Sequence, residues 1–593
     1  MGKFILTQNS FAHGEVSPEF FARGDKAAIA RGLTKLQNMD VLPSGGITRR
    51  PGTVSLFECA PNSILISFSV SDNENYLLVL SDGEINIYND TLRVATLSHP
   101  WTADELKSVQ YTQRFGTMIF VHPNHRPVIL EKTSGANFEL RDFEFAIASN
   151  NIAISYMPMV RFENTSDVKL RLLPSGVEDP IRERNAFATR DVWKPEDIGK
   201  QIFVRNQHWI VTRVVSPRSA ILRTFKDMPR LSVYDYIRYN MTAPLLEWFE
   251  PAFSDTRGWP ASITFHQNRL VFGGSRALPA SIFMSKTGDH HNFDTGTGLD
   301  DEAIFLTLLS GTRQSICTVA SSDSLHVLTN AGEWAITANP LTPSSINIRQ
   351  HTNVGSRSDR YLPPQTIEGR TAFVARNGTQ IRELVLDDLK LTYSAINLTK
   401  FSEHLMTDPT GVAYNNKLNR MFVPQSDGRM AVLTQIAPLE ISAWAVYETC
   451  GEFKSVAVMN DDTYIVVERE NKSFVEKFCT NAMMDADEYE FKHIASGTPL
   501  FAGDNAPKTV RLTHIKARVL NTKSLFFESD GRTVRARLPN EIYADNHPGF
   551  SGDIEEGFIG VKRDAIQPKW SIVGSEALPT TILSVTLRGR FTI

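Results

Sequence analysis

Seven segments of the chain share one pattern: an apolar run, a short polar turn and a second apolar run. They cover 76–88, 116–130, 268–284, 323–337, 370–384, 419–433 and 462–478. Their turns carry Asp-Gly, Gly-Gly, Ala-Gly, Asn-Gly or a polar equivalent, and such residues tolerate the positive φ angles that tight hairpins need. The pattern therefore predicts seven β-hairpins.

The spacing of these hairpins indicates a repeat. Most steps between turn residues run from about 42 residues (Asp82 to Asn124) to about 58 (Gly274 to Gly332), whereas a four-stranded propeller blade takes roughly 40–50. A further strand-like segment precedes six hairpins, at 64–70, 108–113, 261–266, 315–321, 411–416 and 455–460. We predict an all-β protein built on a β-propeller of about six to seven blades. The alternative is two or three unrelated β-sandwiches.

Two regions interrupt the repeat. A step of about 150 residues from Asn124 to Gly274 contains short strands over 197–225, with turns at Arg205-Asn206 and Pro217-Arg218. They predict a small inserted β-domain, either a docking surface or a lid over blade edges. After Phe478 the alternating segments predict a C-terminal β-sandwich-like domain, with the last residues paired in a sheet.

These interruptions define five predicted regions. They are an N-terminal lead and assembly segment over 1–60, the first blades over 61–148, the inserted β-domain over 149–255, the remaining blades over 256–480 and the C-terminal β-domain over 481–593. Within the lead, the pattern predicts a turn at Ser17-Pro18 and one helix over about Lys26 to Leu36.

Composition narrows the possible functions. The 593 residues include 62 basic and 66 acidic ones, a formal net charge of −4, and this near-balance disfavours a protein that grips nucleic acid electrostatically. No signal-peptide core and no apolar run long enough for a membrane span is present in the sequence. Four cysteines, at 59, 317, 450 and 479, have no metal-binding spacing, and we expect them to be reduced and buried.

Catalytic motifs are weak or absent in the sequence. The glycine-rich stretch 295–302 lacks the lysine of a phosphate-binding loop, and no G-x-S-x-G elbow occurs. His290 and His291 are adjacent and would point to opposite faces of a strand, which disfavours a metal site. Asp300, Asp301 and Glu302 form the tightest acidic cluster, and we expect them to cap a turn or face water. We therefore expect no cofactor, no metal and no enzymatic activity.

Two other function classes stay open. One is a propeller enzyme or lectin that acts on host-surface glycan, and the other is a monomeric propeller that binds glycan or protein. Exposed aromatic residues would mark such a binding site. The eight tryptophans lie mostly within β segments, where core packing is the expected role, at positions 101, 193, 209, 248, 259, 334, 444 and 570.

The N-terminal lead carries a distinctive series of motifs. In order they are Gly14-Glu15 followed by Ser17-Pro18, Arg23 with Asp25, a later asparagine, Gly45-Gly46 and the RRPGT segment at 49–53. This series resembles the start of the tail nozzle proteins of short-tailed bacteriophages, the tail tubular protein B family. The segments 268–293, 300–316, 333–356 and 578–593 also look like that family.

The resemblance implies a function in the virion. It implies a homohexameric nozzle below the adaptor ring of the tail, with a central channel for ejected double-stranded DNA and outer surfaces that hold tail fibres or a spike. The protein would be made in the host cytoplasm and would end in the viral tail. Six copies would carry a formal charge of 6 × −4 = −24, and a neutral or mildly acidic channel would let DNA slide.

The residues of the lead also have a physical interpretation. Glycines suit turns and close backbone approaches, and arginine suits bidentate pairing with carboxylates. We expect the assembly residues to lock the lead onto its own propeller or onto a neighbouring subunit; a solvated surface turn is the alternative. They are Gly14, Glu15, Arg23, Asp25, Gly45, Gly46, Arg49 and Arg50. Charge reversal at the two adjacent arginines is then expected to block ring assembly.

Overall fold

The computed structural model describes residues 2–21, 30–133, 135, 137–147, 156–160, 171–173, 193–204, 207–217, 219–224, 249–387, 389–497, 509–529, 531–544, 547–558, 563–564 and 570–592. Contacts divide the chain into two compact units. The first unit consists of Met1–Lys107, Ser134–Asn137 and Ser356–Ile593, and the second consists of Ser108–Thr133 and Phe138–Gly355. The predicted domain boundaries stay predictions.

Short strands interrupted by Gly and Pro turns fill the described part of the N-terminal lead. They are β1 (Gly2–Gln8), β2 (Gly14–Glu15), β3 (Gly32–Gln37), β4 (Met39–Val41), β5 (Ile47–Arg49) and β6 (Gly52–Cys59). The predicted turn at Ser17-Pro18 leads into a 3₁₀ helix over Pro18–Phe20.

The predicted helix over Lys26 to Leu36 agrees with the structure at Ala30, which is α-helical, but it is wrong from Gly32 onward, because Gly32–Gln37 is strand β3. Leu33 and Leu36 are both buried, a spacing of three that is typical of a helix. A register shift between Leu33 and Lys35, opposite Gly497 and Ser496, gives the strand the same spacing. Such a bulge inserts one residue and returns the next apolar side chain to the core face. Residues 26–29 lie outside the described residues.

Two four-stranded antiparallel sheets follow the lead. Their strands are β7 (Ile64–Ser71), β8 (Glu74–Ser81), β9 (Glu84–Asn89), β10 (Leu92–Ser98), β11 (Gln110–Arg114), β12 (Thr117–His122), β13 (His125–Lys132) and β14 (Phe138–Asp142). We call these sheets blade 1 and blade 2, and each is a meander in chain order.

The inserted region forms its own sheet in the second unit. Its described strands are β15 (Met159–Val160), β16 (Arg171–Leu173), β17 (Gln201–Val204), β18 (Gln207–Ser216), β19 (Ser219–Thr224) and β20 (Glu250–Pro251). The sheet has the order β16-β19-β18-β17, in which only the β16–β19 pair is parallel. β15 pairs separately with β20. The predicted turn residues Arg205-Asn206 and Arg218 lie outside the described residues.

The repeat then resumes. Its strands are β21 (Ser262–His266), β22 (Arg269–Gly273), β23 (Ser281–Met284), β24 (Ile304–Thr307), β25 (Ile316–Ser321), β26 (Leu325–Thr329), β27 (Gly332–Thr337), β28 (Asn347–Thr352), β29 (Gln365–Ile367), β30 (Arg370–Val374), β31 (Ile381–Asp387), β32 (Thr392–Asn397), β33 (Ala413–Asn415), β34 (Arg420–Pro424), β35 (Met430–Ile436), β36 (Ile441–Tyr447), β37 (Glu452–Met459), β38 (Asp462–Arg469) and β39 (Lys472–Cys479). Blades 3 to 6 take four consecutive strands each.

Blade 7 is completed from the other end of the chain. Strands β37, β38 and β39 take β6 as their fourth strand, and the pairing runs from Ser473 opposite Cys59 to Cys479 opposite Gly52. The seven predicted hairpins are confirmed, and the chain has the predicted β-propeller fold, with seven four-stranded blades among the residues that the structure describes. Strand β6, which lies in the region predicted as the lead, supplies the fourth strand of this blade.

Apolar faces of neighbouring blades share cores within each unit. In the first unit one core joins blades 7 and 1 through Val466 and Leu77, and others join blades 5 to 6 and 6 to 7. In the second unit one core joins blades 2 and 3 through Ile129 and Phe272, and another joins blades 3 and 4. This stacking is what makes individually marginal hairpins stable.

The C-terminal strands pair with the N-terminal ones. They are β40 (His493–Gly497), β41 (Thr509–Thr522), β42 (Phe526–Ser529), β43 (Arg532–Arg535), β44 (Phe550–Gly557), β45 (Arg563–Asp564), β46 (Ser571–Gly574) and β47 (Thr581–Thr592). One sheet has the order β4-β5-β47-β41-β44, with β1 on β47 and β45 on β41. The other continues blade 6 as β36-β2-β3-β40-β46-β42-β43. A single apolar core lies between them, so the predicted terminal sandwich includes both chain ends.

The alternation of buried and exposed residues is interrupted near the start of β41, and the interruption has a physical cause. Val510 and Leu512 are buried, and the next buried apolar residue is Ile515. The pairing register with β47 shifts between Leu512 and His514, which marks a β-bulge at Thr513. The bulge lets apolar residues on both sides of it face one core.

Other side chains meet or correct the sequence expectations. Each tryptophan in the described residues is buried, whereas Trp248 lies outside them. The cysteines are free thiols, but the prediction that they are buried is wrong, since Cys450 is exposed and the other three are half-buried.

Among the described residues, no helix is both long and apolar enough to span a bilayer. The remaining 3₁₀ helices are Glu105–Ser108, Pro195–Asp197, Glu403–Leu405, Ala437–Leu439 and Asn540–Tyr543.

Candidate functional site

Gly14 allows the lead to lie directly against blade 6. Strand β2 pairs in parallel with β3 on one side and with β36 on the other, where Gly14 faces Trp444. The φ of Gly14 is +60°, and a Cβ at this position would lie 2.3 Å from the Trp444 carbonyl oxygen. Both the conformation and the close approach require glycine.

Glu15 anchors the same strand through its carboxylate. Oε2 accepts a hydrogen bond from the Leu36 amide at 2.8 Å, and Oε1 lies 3.1 Å from His404 Nε2. The main-chain carbonyl of Glu15 accepts a hydrogen bond from Ser402 Oγ at 2.6 Å. Glu15 therefore ties β2 both to β3 and to the connection between blades 5 and 6.

Gly45 and Gly46 form the turn between β4 and β5. The φ of Gly45 is +79°, and its carbonyl accepts a hydrogen bond from the Phe11 amide at 2.8 Å. A Cβ on Gly46 would lie 2.9 Å from the Ile582 carbonyl oxygen. The turn thus fits between the start of the chain and its last strand.

Arg50 is a fully buried guanidinium with every N–H donor used. Nη1 and Nη2 donate to the two carboxylate oxygens of Asp485 at 2.8 and 2.7 Å. Nε donates to Asn38 Oδ1 at 2.9 Å, and the remaining donors reach the carbonyls of Pro51 and Glu448 at 2.9 and 3.0 Å. This bidentate geometry is specific to arginine. Arg50 therefore links the lead to the chain that follows blade 7.

Arg49 is buried beside Arg50 with fewer partners. Its Nη1 lies 3.6 Å from Met483 Sδ, while Nε and Nη2 have no hydrogen-bond partner within the described part of the chain. The Cζ atoms of Arg49 and Arg50 lie 4.0 and 3.7 Å from the Phe491 ring centroid, within cation–π range. Burial, and then the charge of Arg50, lower the pKa of Arg49 to about 10.

His493 lies close enough to Arg49 for the charge of that arginine to affect its imidazole. Burial, followed by the positive charge of Arg49, lowers the pKa of His493 to about 3. Neither ring nitrogen has a hydrogen-bond partner among the residues that the structure describes. The imidazole is therefore neutral at ordinary pH.

The sequence left open whether these residues lock the lead onto its own propeller or onto another subunit. For Gly14, Glu15, Gly45 and Arg50, the partners described above belong to the same chain. Arg23 and Asp25 lie outside the described residues. The role of these residues in ring assembly stays a prediction.

Several partners could not be foreseen from the sequence. Asp40 is buried and lies 2.9 Å from Arg420 Nη1, and it also accepts a hydrogen bond from Tyr447 Oη. Asn38, the later asparagine of the motif series, has a φ of +52° and bonds both the Glu448 amide and the Lys492 carbonyl. Asparagine tolerates this left-handed conformation, and that is the one signal by which it could have been chosen.

The acidic cluster at 300–302 shapes a turn. Glu302 Oε2 accepts hydrogen bonds from the amides of Thr297, Gly298 and Leu299 at 2.8, 2.6 and 2.7 Å. These amides lower the pKa of Glu302. Asp301 pairs with Lys286 at 2.8 Å. This geometry fits the expectation that the cluster caps a turn.

The two adjacent histidines point to different partners. His290 Nε2 lies 2.7 Å from Arg114 Nη1, whereas His291 Nδ1 lies 2.6 Å from the Glu144 carbonyl oxygen and its ring stacks on Phe143. The two side chains thus serve separate structural contacts.

Comparison with known proteins finds matches among solved structures but none among sequences. No protein-family model matches the sequence, and no curated protein sequence matches it. Among solved structures, the Pan2 WD40 domain of Neurospora crassa has 9% identity, covers 73% of this chain and 95% of its own, and gives a TM-score of 0.32. BamB from Moraxella catarrhalis has 9% identity, covers 71% and 97%, and gives 0.31. The WD40 repeats of RRP9 have 6% identity, cover 73% and 100%, and give 0.36.

Proposed function

We propose that this protein is a non-catalytic structural subunit of a bacteriophage tail, which assembles into a homohexameric nozzle. The observation that carries the proposal is where the motif residues lie. Among the described residues that resemble the start of the tail nozzle family, Gly14 lies against blade 6, Glu15 bonds β3 and Arg50 bonds the chain that follows blade 7. Gly14, Glu15, Gly45 and Arg50 bond protein groups, as expected of residues that serve architecture.

The proposed partners follow from the same resemblance. The ring would sit below the tail adaptor ring in the virion, hold tail fibres or a spike on outer surfaces, and pass genomic DNA through its channel. The charge supports a conduit: with a formal −4 per chain, a hexamer has no excess of positive charge with which to hold phosphates.

The first experiment measures mass. Purified protein is passed over a size-exclusion column with light scattering, and we expect a species of six 66.4 kDa chains, about 400 kDa. A monomer at all concentrations up to about 100 µM would contradict the nozzle proposal, since a ring component with a stable interface should assemble in that range.

A second experiment separates the nozzle from the glycan-directed alternative. The protein is incubated with host capsular or cell-wall polysaccharide, and we expect no released sugar. In parallel, a gel-shift titration with double-stranded DNA at about 50 mM salt should show only weak binding. Sugar release by a monomer would favour the enzyme, and tight DNA binding would contradict a freely conducting channel.

A further inference from the structure

A cavity of about 270 Å³ opens in the second unit between the inserted region and the segment before blade 3. One wall is apolar and consists of Met157, Met159, Pro251, Phe253 and Trp259. Aromatic rings and thioethers of this kind pack well against alkyl chains. The polar part of the lining comes largely from 196–201 and 254–256.

The positive charges near the polar wall are already paired. Lys200 Nζ lies 2.5 Å from Glu250 Oε2 and 3.2 Å from Asp197 Oδ1. Arg257 Nη2 lies 3.0 Å from Glu250 Oε1. Although burial of Glu250 favours its neutral form, the charges of Lys200 and Arg257 hold its pKa below the ordinary value. The carboxylates of Glu250 and Asp197 together balance the charges of Lys200 and Arg257, and little positive charge is left for an anion.

Two carboxylates on the cavity wall are not paired in this way. Glu196 and Asp255 are exposed, and neither has a salt-bridge partner among the described residues. Asp255 Oδ1 accepts a hydrogen bond from Trp259 Nε1 at 2.8 Å, which holds the carboxylate beside the indole. The guanidinium of Arg276 instead donates to the Asp255 main-chain carbonyl, at 2.5 Å. The mouth of the cavity therefore has unneutralised negative charge.

The aromatic side of the cavity also suits a cation. The Cζ of Arg126 lies 6.0 Å from the Trp259 ring centroid, so one guanidinium is already within cation–π range of this indole. An alkyl stem can lie along Met157 and Met159 while a charged head reaches Glu196 and Asp255, as long cationic side chains do on mixed surfaces.

We propose that this cavity binds an aliphatic cation, namely an ammonium or guanidinium group on an alkyl stem. The shared chemistry has two sources: a free diamine, or a lysine or arginine side chain of a partner protein. The inference does not depend on the nozzle proposal, because the cavity lies within one chain.

The test is calorimetric titration of the full chain with three small molecules that share a five-carbon stem. They are 1,5-diaminopentane, 1-pentanol and glutarate. We expect a dissociation constant below about 1 mM for the diamine and much weaker binding for the neutral and anionic analogues. The proposal would be overturned if pentanol bound as tightly as the diamine, or if glutarate bound more tightly than the diamine. It would also be overturned if neither the diamine nor the lysine peptide described next bound.

A peptide arm distinguishes the two sources. A capped Gly-Lys-Gly tripeptide carries a single ammonium on a four-carbon stem attached to a backbone, and capped Gly-Gln-Gly is its neutral control. Tighter binding of the lysine peptide than of the diamine identifies a partner side chain, and the reverse order identifies a free ligand. Either order supports the proposal, provided the glutamine peptide does not bind.

Variants connect binding to the named carboxylates. The double variant Glu196→Gln with Asp255→Asn should weaken binding of whichever cation binds by about tenfold, because each exposed charge pair contributes modestly. Glu139→Gln removes another exposed carboxylate of the same unit and should leave binding unchanged. An equal loss in both variants would refute a role for the cavity. The hexamer mass of each variant is measured separately, so failure of this inference and failure of the nozzle proposal are distinguishable.

Discussion

The buried pair of Arg50 and Asp485 offers a sharp test of how the lead is held. The side chains are 0% and 1% exposed and share two hydrogen bonds of 2.8 and 2.7 Å. Asp485→Asn keeps the size of the side chain, removes its charge and turns one acceptor into a donor that faces the guanidinium. The buried cation is then left without compensation.

The expected loss of stability in the Asp485→Asn variant depends on the hydrogen bonds that Arg50 retains. Removing one partner of a buried ion pair typically costs about 3–5 kcal/mol. Three hydrogen bonds of Arg50 remain, to Asn38, Pro51 and Glu448, so we expect about 3 kcal/mol. For a cooperative unit of a few hundred residues this lowers the unfolding midpoint by roughly 5–10 °C.

Differential scanning calorimetry measures this shift, with separate transitions fitted if the two units unfold independently. A matched control is Asp553→Asn, because Asp553 also forms a bidentate pair, with Arg518 at 2.8 and 3.1 Å, but on the exposed surface. The control should barely move the midpoint. The double variant Arg50→Met with Asp485→Leu should recover much of the loss, because it removes both buried charges. A shift for Asp485→Asn no larger than the control would refute the reasoning.

Three further predictions concern single residues. Gly14→Ala should destabilise the protein by about 2–4 kcal/mol, since it adds a backbone clash to the strain of a positive φ. Gly83→Ala, at φ +70° with nothing within 4 Å of the new Cβ, should cost only about 1 kcal/mol in urea unfolding, and equal costs would contradict the close-approach argument. The pKa of His493 is lowered from 6.5 to about 3, so the unfolded state binds the proton first. The contribution of neutral His493 to the free energy of unfolding is therefore fully present above about pH 6.5. It falls by up to about 1.4 kcal/mol per pH unit as the pH drops towards 3. In urea unfolding at pH 4 to 7, His493→Phe should flatten this dependence, and an unchanged slope would exclude the histidine as its source. Glu302→Gln should speed amide exchange at 297–299, measured by mass spectrometry, whereas Asp300→Asn, whose carboxylate accepts none of these amide bonds, should not.

The hairpins could be predicted because their turn residues lie within each hairpin. The pairings between segments far apart in the sequence could not be predicted. The seven hairpins carry their own turn residues, so each could be recognised within about 15 residues of sequence. The pairing of β6 with β39, by contrast, joins Cys59 to Ser473. Within the candidate site, the glycines and arginines of the lead could be chosen from the sequence, because glycine allows unusual backbone conformations and arginine allows bidentate pairing. Their partners could not, because Asp485 lies 435 positions from Arg50.

β-Bulges, rather than the intrinsic helix or strand propensity of the residues, explain where the apolar pattern misled the prediction. At Thr34 and again at Thr513, one inserted residue changes a spacing of two into a spacing of three. A spacing of three within a short segment is read as helical. The prediction of a helix over Lys26 to Leu36 is wrong from Gly32 onward for this reason, while the 14-residue length of β41 left enough alternation on both sides to identify a strand.

The position of Arg50 changes how an assembly experiment on the lead has to be interpreted. Arg50 lies between β5 of the terminal sheet and β6 of blade 7, and its partner Asp485 follows β39 of the same blade. The pair thus fixes the point where the chain passes from the terminal sandwich into the propeller. Charge reversal there would place a carboxylate against buried Asp485 and unfold this junction. Loss of rings in such a variant would therefore report folding, and it bears on assembly only if the calorimetric transition of the variant is intact.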